Sequence, residues 1–286
     1  EHRRQRQMCI RDRFYKYPPT QQPYPMNIRK SLLLTAVASC FFSFGAHAND
    51  IEPGKETYTA NKAVNPIVID GDLSEWTGAQ LLADPRFSIP KGSGDDGELV
   101  NFELYNGGNW TGPDDHTSNV RVVYDDDNVY FGFVVTDEYH ENAANSAWNG
   151  DSIQLMIAND ARDSQIALYN YALGGVEGDI GDIIVNHEAG PVSDGDDNAT
   201  KAVIARDEEN KTTTYEIILP KASLEIESLE AGVQFGLGMA INDGDEDTPG
   251  QKGWGGLGAH SIVFGKSPEE TAPVSYTHLT LPTMFE

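Results

Sequence analysis

Short β-prone runs, each cut off by Gly, Asp, Asn or Pro within about ten residues, dominate this chain and limit what it can fold into. The clearest pair is Val120–Tyr124 and Val129–Val135. Between them Asp125-Asp126-Asp127-Asn128 supplies turn chemistry, because short polar side chains bond back to nearby backbone. The pair therefore reads as an antiparallel hairpin. Pro66–Asp70, Ser152–Ala158, Gln165–Leu173, Asp182–Asn186, Lys201–Arg206, Thr213–Leu219, Phe235–Ile241 and Ser261–Phe264 read as further strands, with Asp207–Lys211 as another hairpin loop. No long segment keeps a helical period; short helical pieces are expected only after Asp72 and around Lys221–Leu224. Many short strands and few helices predict an all-β fold, one antiparallel β-sandwich of immunoglobulin or jelly-roll type. Residues 84–118 form a polar stretch longer than most connections, a length common in functional loops.

The two ends read differently from the middle. Met26-Asn27-Ile28-Arg29-Lys30, an apolar run from Leu32 to Phe44 and the small-residue site Ala46-His47-Ala48 have the layout of a secretory signal peptide. Residues 26–48 are assigned to it, and the mature chain is expected in the periplasm or outside the cell. A lipoprotein start at Cys40 fits less well, because Phe41-Phe42 follow it. Gln7–Arg13 and Val274–Thr283 look like translated sequencing adapter. Residues 1–25 are thus read as a non-native leader, 49–60 as a polar linker and 61–266 as the sandwich. Residues 267–286 are read as a tail, artefactual from about 274, and a neighbouring catalytic domain is expected to have been lost.

Charge removes several classes of partner. The chain has 45 Asp and Glu against 20 Lys and Arg, and eight of those bases precede residue 49. So acidic a surface repels phosphate backbones and anionic lipid, which argues against nucleic acid and membrane and suits a neutral partner. The two cysteines, Cys9 and Cys40, precede the predicted cleavage site, leaving no thiol chemistry afterwards. His116, His140, His187 and His260 show no paired ligand spacing, which argues against zinc. No nucleophile-elbow, zinc-protease or phosphate-loop motif is present, so no catalytic residues are assigned.

Three segments taken in order carry a family likeness. They are Ile69-Asp70-Gly71-Asp72-Leu73-Ser74-Glu75-Trp76, then Val120–Phe131 running on through Asp137 to Ala147-Trp148-Asn149-Gly150-Asp151-Ser152-Ile153-Gln154-Leu155, and finally Tyr215–Pro220 with Gly236–Asp243. Together they resemble carbohydrate-binding module family 9, over roughly residues 66–266. The resemblance implies non-catalytic binding of a polysaccharide or oligosaccharide, plant or algal in origin, between two aromatic rings, beside a glycoside hydrolase. It implies structural calcium as well. Trp148 matches one ring, and Trp254 is the candidate for the second. Gln154 and Asn170 stand where the family places hydroxyl-binding Glu and Arg.

The residues themselves leave more open. Trp148 sits in a polar loop at a strand entrance, where display and tucking are equally open; the resemblance favours display. Trp254 lies among glycines, which supply no packing neighbours and favour exposure. Trp110, between Gly108 and Gly112, is a third candidate ring. Trp76 follows an N-cap pattern and reads as a core plug. Asp243, Asp245 and Asp247 crowd one loop, a set suited to calcium, although acidic loops are more often simply solvated. Two other readings compete: a haem-binding electron-transfer domain of similar fold, with Met156 or Met239 as ligands, and a glycoside hydrolase.

Overall fold

The structure is a computed structural model that describes residues 58–76, 79–81, 102–192, 200–246 and 248–277. The leader, the signal peptide, most of the linker, Asp247 and the residues beyond 277 lie outside the described residues. The strands are β1 (Tyr58–Lys62), β2 (Gln80–Leu81), β3 (Glu103–Leu104), β4 (His116–Tyr124), β5 (Asn128–Asp137), β6 (Glu141–Asn142) and β7 (Ser152–Ala158). They continue with β8 (Gln165–Val176), β9 (Asp179–Ala189), β10 (Lys201–Asp207), β11 (Thr212–Pro220), β12 (Gln234–Asp245), β13 (Thr248–Gly255) and β14 (Ala272–Thr277).

The strand order is β10-β11-β5-β4-β1-β14-β12-β7-β8-β6, with β9 paired to β8, β13 to β12, β3 to β13 and β2 to β4. β1 runs parallel to both β4 and β14. The long pairs, such as β4 with β5 across the Asp125–Asn128 turn, are antiparallel. Side chains alternate across a strand, so each half presents one apolar face. Val129, Phe131 and Phe133 of β5 and Ile217 and Leu219 of β11 share one buried cluster with Ile153, Leu155 and Ile157 of β7 and Leu237, Met239 and Ile241 of β12. The curled sheet thereby closes as a β-sandwich, mixed rather than purely antiparallel.

Several local expectations change. Pro66–Asp70 is not a strand. Its backbone is instead held by a side chain, because the buried Glu216 carboxylate accepts from the amides of Asp70 and Gly71 and from the Trp76 indole at 3.0 Å. A strand does form earlier, at β1, partly inside the segment read as linker. Ser261–Phe264 is a π-helical turn, entered through Gly256 and Gly258 at φ 126° and 59°, a region that favours glycine. Residues 272–277, assigned to a tail, form β14 between β1 and β12, with Val274 and Tyr276 buried.

Lys221–Leu224 is the short helix expected, of 3-10 type, whereas the residues after Asp72 make only turns. Trp76 is buried against Val123 and Tyr130, as a plug should be. Gly132 of β5 lets this flap lie close, since a Cβ there would stand 3.0 Å from Leu73 and 3.3 Å from Trp76.

Candidate functional site

The core-facing residues of β7 and β8 are apolar, so the alternate residues emerge on the opposite face. Cross-strand register aligns Gln154 of β7, Asn170 of β8 and Asn186 of β9 into one polar row there. Register also sets Gln154 beside Ala240 of β12. Asn242 of β12 anchors the row: its Oδ1 accepts from Gln154 Nε2 at 3.4 Å and from Gln251 Nε2 at 2.5 Å, and its Nδ2 donates to Ser152 Oγ at 2.8 Å. Carboxamides cross-linked this way are held in fixed orientations.

Aromatic side chains stand over this row. Tyr105, Trp148 and Phe264 are 41%, 47% and 56% exposed, high values for rings of that size. With Gln154, Asn186, Glu188, Gln251, Val263 and Lys266 they line a groove of about 490 Å³, a volume in the range of small-ligand sites. Tyr105 reaches it because β3 pairs with β13 and the Tyr105 amide donates to the Lys252 carbonyl at 2.6 Å. Trp148 is carried by the loop between β6 and β7. Both ends of that loop are fixed by Asp151, which accepts from the Glu141 amide at 2.6 Å and from the Gly244 amide at 2.7 Å. Lys266 pairs with Glu188 at 3.4 Å, and Glu188 also accepts from Asn170 Nδ2 at 3.2 Å.

The predicted residues divide. Trp148 and Gln154 line the groove. Asn170 is fully buried and reaches it only through Glu188. Trp254 does not stand open as expected: it is 1% exposed, and it packs with Met156, Leu168, Ala240 and Ile262. Tyr105 and Phe264 cover it, with ring centroids 5.2 and 5.5 Å away. A ring so enclosed offers no face to a ligand. Trp110 is partly buried, its indole donating to the His116 carbonyl at 3.1 Å, away from the groove lining. Tyr105, Phe264, Asn186, Glu188, Gln251 and Lys266 were not singled out from the sequence.

A second polar centre lies at the other end of the Trp148 loop. Asp137, His140 and Asp151 are all buried, with ligating atoms within 4.8 Å of one another. Asp243 is buried beside them, its carboxylate 3.1 Å from His116 Nδ1. Burial first, and then the charges of Asp151 and Asp243, push the Asp137 carboxyl well above the usual range. Burial likewise pushes Asp243 up to about 7, with His116 opposing. For His140, burial lowers the pKa, but the adjoining Asp151 carboxylate outweighs it and the net shift is upward. Asp245 lines an acidic pocket of about 610 Å³ with Asp115, Asp137, Glu138 and Glu177. The described residues do not gather Asp243 and Asp245 into a three-carboxylate cluster, and Asp247 lies outside them. Met156 and Met239 are both buried, each within an apolar cluster of the described residues.

A family model described as carbohydrate family 9 binding domain-like matches residues 96–260. Among solved structures, the chain is similar to a carbohydrate binding module family 9 from Caldicellulosiruptor kristjanssonii in complex with cellotriose. That likeness has a TM-score of 0.53 and 12% identity, and covers 81% of this chain and 98% of the other. A family 9 module from the same organism in complex with glucose gives a TM-score of 0.52 and 12% identity, covering 78% and 97%. No curated protein matches the chain.

Proposed function

Because the chain belongs to the carbohydrate family 9 binding domain-like family, we propose that the groove under Trp148, Tyr105 and Phe264 is where it takes its saccharide. The family is a non-catalytic one, and this domain binds carbohydrate rather than transforming it. The observation that carries the placement is the coincidence of three exposed rings with a fixed carboxamide row. Pyranose rings present flat C–H faces that pack on aromatic surfaces, while their hydroxyls need directed donors and acceptors. Gln154, Asn186 and Gln251 supply both kinds of group.

The ligand we infer is an uncharged oligosaccharide or the end of a polysaccharide chain, plant or algal in origin. The net charge of −25 disfavours a polyanionic glycan, and Lys266 is already matched by Glu188. The family 9 structures holding cellotriose and glucose support a β-glucan or a related neutral chain. The same reading places the mature domain outside the cytoplasm, working beside a glycoside hydrolase on an insoluble substrate.

Titration calorimetry with glucose, cellotriose and xylo-oligosaccharides tests the proposal. We expect saturable binding to one of them, and a loss of about five- to ten-fold in Trp148→Ala, the effect of losing one stacking ring worth about 1–1.5 kcal/mol. Binding unchanged in that variant would place the saccharide elsewhere.

A further inference from the structure

The histidine spacing along the sequence gave no reason to expect a transition metal, but the fold sets one imidazole among carboxylates. His140 Nε2 lies 2.9 Å from the Leu173 carbonyl, so this nitrogen carries the proton and donates it. Its other ring nitrogen, Nδ1, faces Asp151 Oδ2 at 3.2 Å, the two side chains being 0% and 6% exposed. His140 Nδ1 makes no hydrogen bond. A ring nitrogen and two carboxylates facing one another inside a protein repel unless a proton or a metal ion lies between them.

An ion fits that position in three respects. The three ligating atoms fall within 4.8 Å of one another, the span of donors around one ion. A histidine whose remote N–H is tied to a backbone carbonyl is the usual orientation of a metal-ligating imidazole. The carboxylates are similarly steadied, Asp137 by the Tyr139 amide at 2.9 Å and Asp151 by those of Glu141 and Gly244. A way in exists as well, because Asp137 also lines the acidic pocket, with Asp115, Glu138 and Asp245 along its walls.

We propose that Asp137, His140 Nδ1 and Asp151 form a binding site for a first-row divalent transition ion of the zinc class. Calcium selects oxygen donors throughout, whereas an imidazole nitrogen beside two carboxylates suits zinc, cobalt or nickel. The ion would tie β5 to both ends of the loop that carries Trp148, a structural role that is independent of which sugar is bound.

Chelator-treated full-length chain titrated with Co²⁺ and Zn²⁺, alongside Ca²⁺, tests the site. Visible Co²⁺ bands with nitrogen ligation are expected at one equivalent and bleached by Zn²⁺, together with a rise in unfolding temperature that Ca²⁺ does not match. Asp137→Asn and His140→Gln should each weaken Zn²⁺ binding by at least about ten-fold. The wild-type titration decides alone if a variant fails to fold. Absence of Co²⁺ bands in the wild-type chain, or binding that survives His140→Gln in a folded protein, overturns the proposal.

Discussion

Tyr105 lies across Trp254 with ring centroids 5.2 Å apart at 46°, one ring 41% exposed and the other 1%. The pair separates the two roles an aromatic cluster can have. Trp254 fills space beneath the groove, and Tyr105 offers its outer surface to it. Trp254→Ala should therefore cost about 3–5 kcal/mol of stability, the range for deleting a large buried aromatic. Thermal denaturation measures this directly. Phe264→Ala, at a ring 56% exposed, should leave the midpoint within a few degrees and weaken saccharide binding instead.

The Trp148 loop depends on a backbone position that only glycine fits. Gly150 has φ +134°, and a Cβ there would collide with the Glu141 carbonyl oxygen and lie 3.0 Å from Asn142 Cα. Gly150→Ala should therefore destabilise the domain by about 1–3 kcal/mol. It should also weaken saccharide binding more than its distance from the groove suggests, because the loop can no longer hold Trp148 in place. Chemical denaturation and calorimetry on one preparation read both effects.

Glu216 is the fixed point of the Trp76 flap, accepting from two amides and an indole. Burial raises its pKa; the amides of Gly71 and Asp70 and the Trp76 indole oppose the rise without cancelling it. A carboxyl whose folded pKa exceeds its unfolded value binds more protons when folded. Its contribution is then fullest below the ordinary value of 4.5 and is lost as pH climbs through the raised folded value. Glu216→Gln should lower stability by about 1–3 kcal/mol, since an amide cannot accept from all three donors. It should also flatten, relative to wild type, the decline in melting temperature as pH rises above the ordinary carboxyl value of 4.5.

The carboxamide row predicts a graded effect. Gln251 shares the Asn242 oxygen with Gln154, and its side chain is buried but borders the groove. Gln251→Ala should weaken saccharide binding by about 1–2 kcal/mol, for a lost hydroxyl contact and a loosened Gln154. Asn242→Ala, which strips the anchor from both, should cost more.

The strands were legible wherever alternation was strong: β4, β5, β7, β11 and β12 contain their predicted runs with only the ends extended. Pro66–Asp70 misled because its backbone partner is the side chain of Glu216, 146 residues away. Trp254 misled for a related reason. Its glycine neighbours suggested an open turn, but Gly253 admits the Phe102 ring and Gly256 the Met239 carbonyl, so they are sites of close approach that bury the indole. Trp148 and Gln154 could be found because the resemblance to family 9 matches them to that family's ring and hydroxyl-binding positions, close to the start of the run Ser152–Ala158. Tyr105 and Phe264 could not, because their exposure follows from β3 pairing with β13 and from a π-helical turn, and neither is a local pattern.

Trp148 is the one indole lining the groove, while Trp76 and Trp254 are buried and Trp110 is partly buried away from the groove, so the change that a saccharide makes in the acrylamide quenching of tryptophan emission reports on the Trp148 face. With saturating oligosaccharide the accessible fraction should fall, and Trp148→Phe should lower the quenching and abolish its protection by the saccharide. Emission that stays equally quenchable with the saccharide demonstrably bound would contradict the assignment of this groove.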